Sequence, residues 1–322
     1  MTSDNLVSVK QLHKFYGPIH AVRGVDFELE RGEVLGFLGP NGAGKTTTMQ
    51  LICGALAPTS GQVLIGGIDV LDQPRQAKAL LGYLPEQPPL YRELTVDEYL
   101  RYCARLRGLA SNQCRSAATR AKQRCGLANT GGRLIGNLSK GFQQRVGIAQ
   151  AIIHSPAVVV LDEPTAGLDP IQIKEIRGLI RELGEDHGVI LSTHILPEVQ
   201  ALCDRVQVIH QGRLVLDKSM AELTASGLQS SLRVVLNNPP QIEEIVKATG
   251  AKRVEALTEG EFRIFCRESE AFAEAFALVA VENGWGLREL RPEQHSLEEI
   301  FVELTCAEEP SPDATTHPAD AA

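Results

Sequence analysis

VLGFLGPNGAGKTTT, residues 34–48, decides how this chain folds. The apolar run VLGFL reads as a buried strand that feeds a glycine-rich turn and then a helix over roughly 44–56. The turn GPNGAGKTT (39–47) matches G-x-x-x-x-G-K-[ST] in the strand–turn–helix setting that this pattern requires. Glycines let backbone wrap closely around a phosphate, and successive N–H groups then point inward. Gly39, Pro40, Asn41, Gly42, Ala43, Gly44, Lys45, Thr46 and Thr47 are therefore candidate phosphate-binding residues. Lys45 would reach the β- and γ-phosphates, and Thr46 would hold Mg²⁺. The plainer alternative is a glycine-rich strand–helix turn, and the full motif in its strand–turn–helix setting outweighs it.

Reading outward, residues 6–38 alternate apolar and polar positions, with breaks at Gly17-Pro18 and Arg31-Gly32, which predicts antiparallel strands. Residues 95–137 read as mainly helical, with Thr95 and Glu98 forming a capping box. A helix from Ser139, a strand at 157–161, a helix from Pro170, a strand at 188–192 and a hairpin over 206–216 follow. From about 231 the order becomes βαββαβ, the split-βαβ arrangement, ending in a short helix capped by Ser296 with Glu299. The expected fold is α/β. Its nucleotide-binding core spans 1–225, with an antiparallel β subdomain and a helical subdomain at about 90–155. A small α+β accessory domain spans 230–306, and an acidic, disordered tail covers 307–322.

The 322 residues carry 43% apolar side chains and a net charge of −8, four of those charges lying in the tail. Nucleic-acid binders usually show a basic footprint, so the balance argues against such a partner. Seven cysteines form no C-x-x-C pair, which reads as reduced thiols in a cytoplasmic protein. The N-terminus, MTSDNLVSVK, is not a signal peptide, and the longest apolar runs reach about half the roughly 18 residues of a membrane span. Membrane association would then come through a partner.

VVVLDEP (158–164) places two carboxylates at the carboxyl end of a buried strand, the edge where an open parallel sheet gathers its ligands. Asp162 would orient Mg²⁺ and Glu163 would polarise an attacking water. His194, in STH (192–194), follows another apolar strand at the same edge and is read as a γ-phosphate contact rather than a loop residue. Asp169-Pro170 with Gln172 reads as an N-cap, a proline at the first helical position and a box partner; a functional role for Asp169 stays open beside that. LSKGFQQR (138–145) opens a helix at Ser139, and a helix start is also an anion site.

Taken in series, these motifs resemble the nucleotide-binding subunit of ATP-binding-cassette (ABC) transporters over roughly residues 6–218. The resemblance implies Tyr16 as the adenine-stacking aromatic, LSKGF as the signature and AGLD (166–169) as a loop at the ATP site. It also implies a Q-loop in YLPEQPPLY (83–91), where Glu86 or Gln87 could reach Mg²⁺ or water. It further implies that ATP is sandwiched between the phosphate loop of one subunit and the signature of another. Ser139 and Gly141 would then grip a phosphate held by a second copy of this chain, giving a homodimer around two ATP. The signature departs from L-S-G-G-Q: Lys140 replaces a glycine, and Phe142 takes the place of a capping-box glutamine.

The sequence is similar to the branch serving type-2-like exporter permeases for drug, polysaccharide, gliding-motility and nitrous-oxide-reductase maturation systems. The implied role is an ATPase subunit, peripheral on the inner face of the cell membrane and driving a separate integral permease. Residues from about 83 to 110 would form the docking surface. A soluble clamp acting on ribosomes or DNA is the rival reading, but the chain has one cassette and no long heptad arms.

Overall fold

The computed structural model describes residues 5–225, 230–251, 253–258, 260–266 and 269–293. The chain divides into two compact units, Met1–Glu222 and Leu223–Ala322. The first begins β1 (Asn5–Tyr16), β2 (Ile19–Glu30), β3 (Val34–Leu38), α1 (Lys45–Ile52), β4 (Ser60–Ile65), β5 (Ile68–Asp69), α2 (Pro74–Ala79) and β6 (Leu81–Leu84). It continues α3 (Val96–Leu106), α4 (Ser111–Arg124), α5 (Lys140–Ile152), β7 (Val158–Asp162), α6 (Pro170–Asp186), β8 (Gly188–Thr193) and α7 (Leu196–Leu202). β9 (Arg205–His210) and β10 (Arg213–Ser219) follow, and α8 (Met220–Ala225) spans the division at Glu222.

β2, β1, β4 and β5 make an antiparallel sheet in that order, and β10-β9-β3-β8-β7-β6 a six-stranded sheet that is parallel from β9 to β6. Every residue of β3, β7 and β8 is buried, which is why these strands read as continuous apolar runs. One core fills the space between the sheets: Val7, Leu12, Val25 and Phe27 pack with Phe37 of β3, Met49 and Ile52 of α1, and Val160 of β7. That packing fixes the end of β3, and with it the glycine-rich turn.

Thr95 caps α3 as expected, accepting from the Glu98 amide while Glu98 accepts from the Thr95 amide. The predicted helical run to 137 is broken, however. α4 stops before Gly126, whose φ of 66° lies in the left-handed region, and only a 3₁₀ turn, Ile135–Asn137, follows before α5. α1 likewise ends at Ile52, short of 56, because Gly54 takes a φ of 61°.

The second unit contains β11 (Ser230–Leu236), α9 (Ile242–Thr249), β12 (Arg253–Thr258), β13 (Glu261–Cys266), α10 (Ser269–Glu282) and β14 (Leu287–Glu293). Its sheet order, β12-β13-β11-β14, is antiparallel throughout and is the split-βαβ arrangement. Leu232, Val234, Ile245, Phe262, Ile264, Phe276 and Trp285 form its own core. The expected helix at Ser296–Glu299 and the 307–322 tail lie outside the described residues. Among the described residues no helix is long and apolar enough to cross a membrane.

Candidate functional site

β3 delivers the chain into the glycine-rich turn at the carboxyl edge of the parallel sheet. Two glycines there are required by close backbone approach: a Cβ on Gly39 would sit 2.5 Å from the Ile209 carbonyl oxygen, and one on Gly44 2.7 Å from that of Ala21. Gly44 also has a φ of 108° and stands as the N-cap of α1. Lys45 is buried; its ammonium donates to the carbonyls of Gly39 (2.8 Å) and Pro40 (3.3 Å) and lies 3.4 Å from Glu163 Oε1. A cavity of about 410 Å³ opens here, lined by Asn41, Gly42, Gly44, Lys45, Thr46, Thr47, Glu86, Glu163, Ala166, His194 and, from β2, Ala21.

Asp162 and Glu163 are successive residues, and side chains in a strand alternate between faces. Glu163 nevertheless lines the cavity, leaving the strand with a φ of 48°, while Asp162 lies buried against the Thr46 hydroxyl of the same cavity. The Glu163 amide still donates to the Ser192 carbonyl at 3.0 Å, and the Ala166 amide returns to the Glu163 carbonyl at 3.1 Å. His194 Nδ1 lies 3.0 Å from Glu163 Oε2, so an ionised Glu163 requires the imidazole proton on Nδ1.

Asp162 is fully buried. Burial pushes its carboxyl above the usual carboxylate range, an effect offset in part by the hydroxyls of Ser192 and Thr46 and reinforced by Glu163 and Glu86. Ser192 Oγ donates to Oδ1, whereas Oδ2 has no hydrogen-bond partner among the described residues. A buried carboxylate oxygen left unpaired beside a threonine hydroxyl is a donor set suited to a hard cation such as Mg²⁺.

The other expected residues lie elsewhere. Gln87, expected alongside Glu86 as a metal ligand, lines a neighbouring groove of about 500 Å³ with Pro88, Leu90, Arg92 and Lys140. Adjacent side chains in the bend after β6 leave the chain in different directions, and of these two only Glu86 borders both spaces, as Ala166 also does. Tyr16 ends β1, exposed, with the Lys14 ammonium 5.4 Å from its ring centroid, and is not among the cavity residues. Asp169 caps α6 by accepting from the Gln172 amide at 2.9 Å. Ser139 stands at the N-cap of α5, exposed, and its side chain makes no capping bond. Gly141 is buried against Gln172; a Cβ there would lie 2.6 Å from the Gln172 Oε1. Neither signature residue lines this chain's own cavity.

Sequence reading gave no role to Ser192 or Ala21, whereas Ala166 belongs to the AGLD loop expected at the site. Ser192 left a signal: it is a hydroxyl inside a wholly buried strand.

The family model described as ABC transporter matches residues 22–166. The bacitracin transport ATP-binding protein BcrA of Bacillus licheniformis is 32% identical, spanning 93% of this chain and 97% of its own. The ABC transporter ATP-binding protein NatA of Bacillus subtilis is 38% identical, over 67% of this chain and 89% of its own. Among solved structures, the ATP-binding cassette MJ0796, a dimer in a post-hydrolysis state with ADP and Pi, aligns with a TM-score of 0.61. It is 25% identical and covers 67% of this chain and 99% of that one. Identity at this level, sustained along nearly the whole length of a relative, is not explained by a shared phosphate loop alone: the chain belongs to the ABC transporter ATP-binding family.

Proposed function

We propose that Glu163, His194 and Lys45 carry the ATP hydrolysis by which this subunit drives transport. The observation that carries the reading is the meeting of Glu163, His194 and Lys45 in the cavity of the phosphate loop, with Asp162 buried against the Thr46 hydroxyl that lines it. Gly39–Thr47 and the Lys45 ammonium bind the β- and γ-phosphates. Mg²⁺, when bound to Asp162 and Thr46, supplies charge neutralisation at the phosphates. Glu163 accepts a proton from the attacking water, and His194 holds that carboxylate in line while facing the γ-phosphate. Glu86, rather than Gln87, is the Q-loop residue that borders the site.

Subunits of this family dimerise and pair with membrane permeases. For this chain the reading is a homodimer with two shared ATP sites. Ser139 and Gly141 complete the site of the partner copy, which accounts for a Ser139 hydroxyl free of capping duty. Tyr16 stacks on adenine, and Asp169 borders the shared interface. Residues 1–225 act as the ATPase domain and 230–306 as an accessory module for dimerisation or regulation. The complex works on the inner face of the cell membrane with an exporter permease and without nucleic acid. A ribosome or DNA clamp has no observation in its favour.

Glu163→Gln tests the core of this. Turnover of MgATP should fall by about 100-fold or more while ATP affinity stays within a few-fold. Turnover near the wild-type rate would remove Glu163 from its role.

A further inference from the structure

One carboxylate near the site has no part in that scheme. Glu198, in the first turn of α7, is completely buried. Its Oε1 accepts from the Thr165 hydroxyl at 2.5 Å and its Oε2 from the Thr193 hydroxyl at 2.9 Å. Thr165 stands two residues beyond Glu163, and Thr193 immediately precedes His194. Both threonines are buried, and the Thr193 hydroxyl also accepts from the Ile195 amide at 3.0 Å. Arg177 Nη2 of α6 approaches Oε1 at 3.7 Å, too far for a hydrogen bond.

Stability does not account for this arrangement. Withdrawing a carboxylate from water costs several kcal/mol, and a well-packed apolar residue of similar volume often serves a fold as well. What an apolar residue cannot do is accept from two donors on two different loops at once. Those loops carry the two side chains that meet 3.0 Å apart as Glu163 Oε2 and His194 Nδ1.

Resting on the hydrolytic roles given above, we infer that Glu198 is a positioning residue that ties the Glu163 loop to the His194 loop through Thr165 and Thr193. It touches neither substrate nor reacting atoms; it sets the relation between two groups that do.

The test measures kcat, KM for MgATP and thermal midpoint in the full-length protein for Thr165→Val, Thr193→Val, Thr193→Ser and Glu198→Gln. Thr193→Val keeps the shape and deletes the hydroxyl, and should lower kcat about tenfold with KM within twofold, as small misplacements at an active site do. Thr193→Ser should restore kcat to within about twofold, since it returns the donor. The double variant Thr193→Val/Glu198→Gln should lose less than the product of the single losses, because both cut one tie. Wild-type kcat in both Thr→Val variants overturns the inference, as does failure of Thr193→Ser to restore a loss seen in Thr193→Val. If Glu198→Gln does not fold, the threonine variants decide the matter. Glu163→Gln, run in parallel, separates the two levels. An inactive Glu163→Gln beside fully active Thr→Val variants sinks only the role of Glu198, whereas an active Glu163→Gln sinks the hydrolytic assignment itself.

Discussion

The proposed metal-holding role asks Asp162 to be ionised in a place that favours its neutral form. Burial raises its pKa above the ordinary 3.8. The folded chain therefore binds more protons than the unfolded chain over the window above pH 3.8, and stability falls as pH rises through it. The cost grows as pH rises above 3.8. Asp162→Asn should accordingly stabilise the nucleotide-free protein by on the order of 1 kcal/mol at pH 7, with the gain shrinking toward pH 4, while Mg²⁺-dependent turnover is lost. Urea denaturation at the two pH values checks it; a variant less stable than wild type at pH 7 contradicts it. At this scale the sequence was legible where chemistry is dense. Lys45, Thr46, Asp162 and Glu163 announce themselves by type and spacing. Glu198 did not, because an acid in the first turn of a helix is ordinary, and only its burial between two hydroxyls marks it.

Among the elements, the seam between α5 and β6 depends on a neutral imidazole. His154, just past α5, is joined through Nε2 to the Leu81 carbonyl at 3.1 Å, and its Nδ1 is buried without a partner. Burial foremost, then the nearby Arg107 cation, lowers its pKa from 6.5 to about 4. Between those values the unfolded chain binds the extra proton, so stability is fully present above pH 6.5 and is lost as pH falls toward 4. His154→Gln should flatten the pH dependence across that window by about 1 kcal/mol after allowance for solvent screening, measured by denaturation midpoints from pH 7 to 4.5. An unchanged slope would exonerate the histidine. Elements with long apolar runs or clear caps, such as β3, β7, β8, α3 and α6, were readable in advance. β4, β5, α2 and β6 were not: they are short, and glycines and prolines interrupt any period between residues 57 and 94. α7 is a single pair of turns opened by Pro197, too brief to show a stripe.

For the whole molecule, one phosphate loop and one signature per chain make the proposed sharing of sites in a homodimer a question of stoichiometry. Ser139→Arg should block phosphate contact at the signature, and Lys45→Ala should cripple the loop; each homodimer then has two damaged sites. Mixed dimers would concentrate both defects in one site and leave the other whole. Occluded ATP should therefore reappear, at roughly half the wild-type stoichiometry in a mixed dimer, when the folded variants exchange subunits. Exchange without recovered occlusion would mean that the signature serves its own chain. This level was the least visible in one sequence, because a dimer interface is written in two surfaces and Ser139 makes no contact within its own cavity.

The left-handed backbone of Glu163 has a further consequence, for time rather than space. Side-chain rotamers exchange in picoseconds to nanoseconds when exposed, and a carboxylate aimed by χ angles alone would wander on that scale. Here the direction is chosen by a φ of 48°, and the Glu163 amide remains bonded to the Ser192 carbonyl, one rung beyond the ladder of β7 and β8. Turning the carboxylate to the opposite side of the sheet requires breaking that rung. The side of the sheet from which the proposed base departs thus has the lifetime of the sheet, and only the last degrees of aim are left to its χ angles, held by Lys45 and His194.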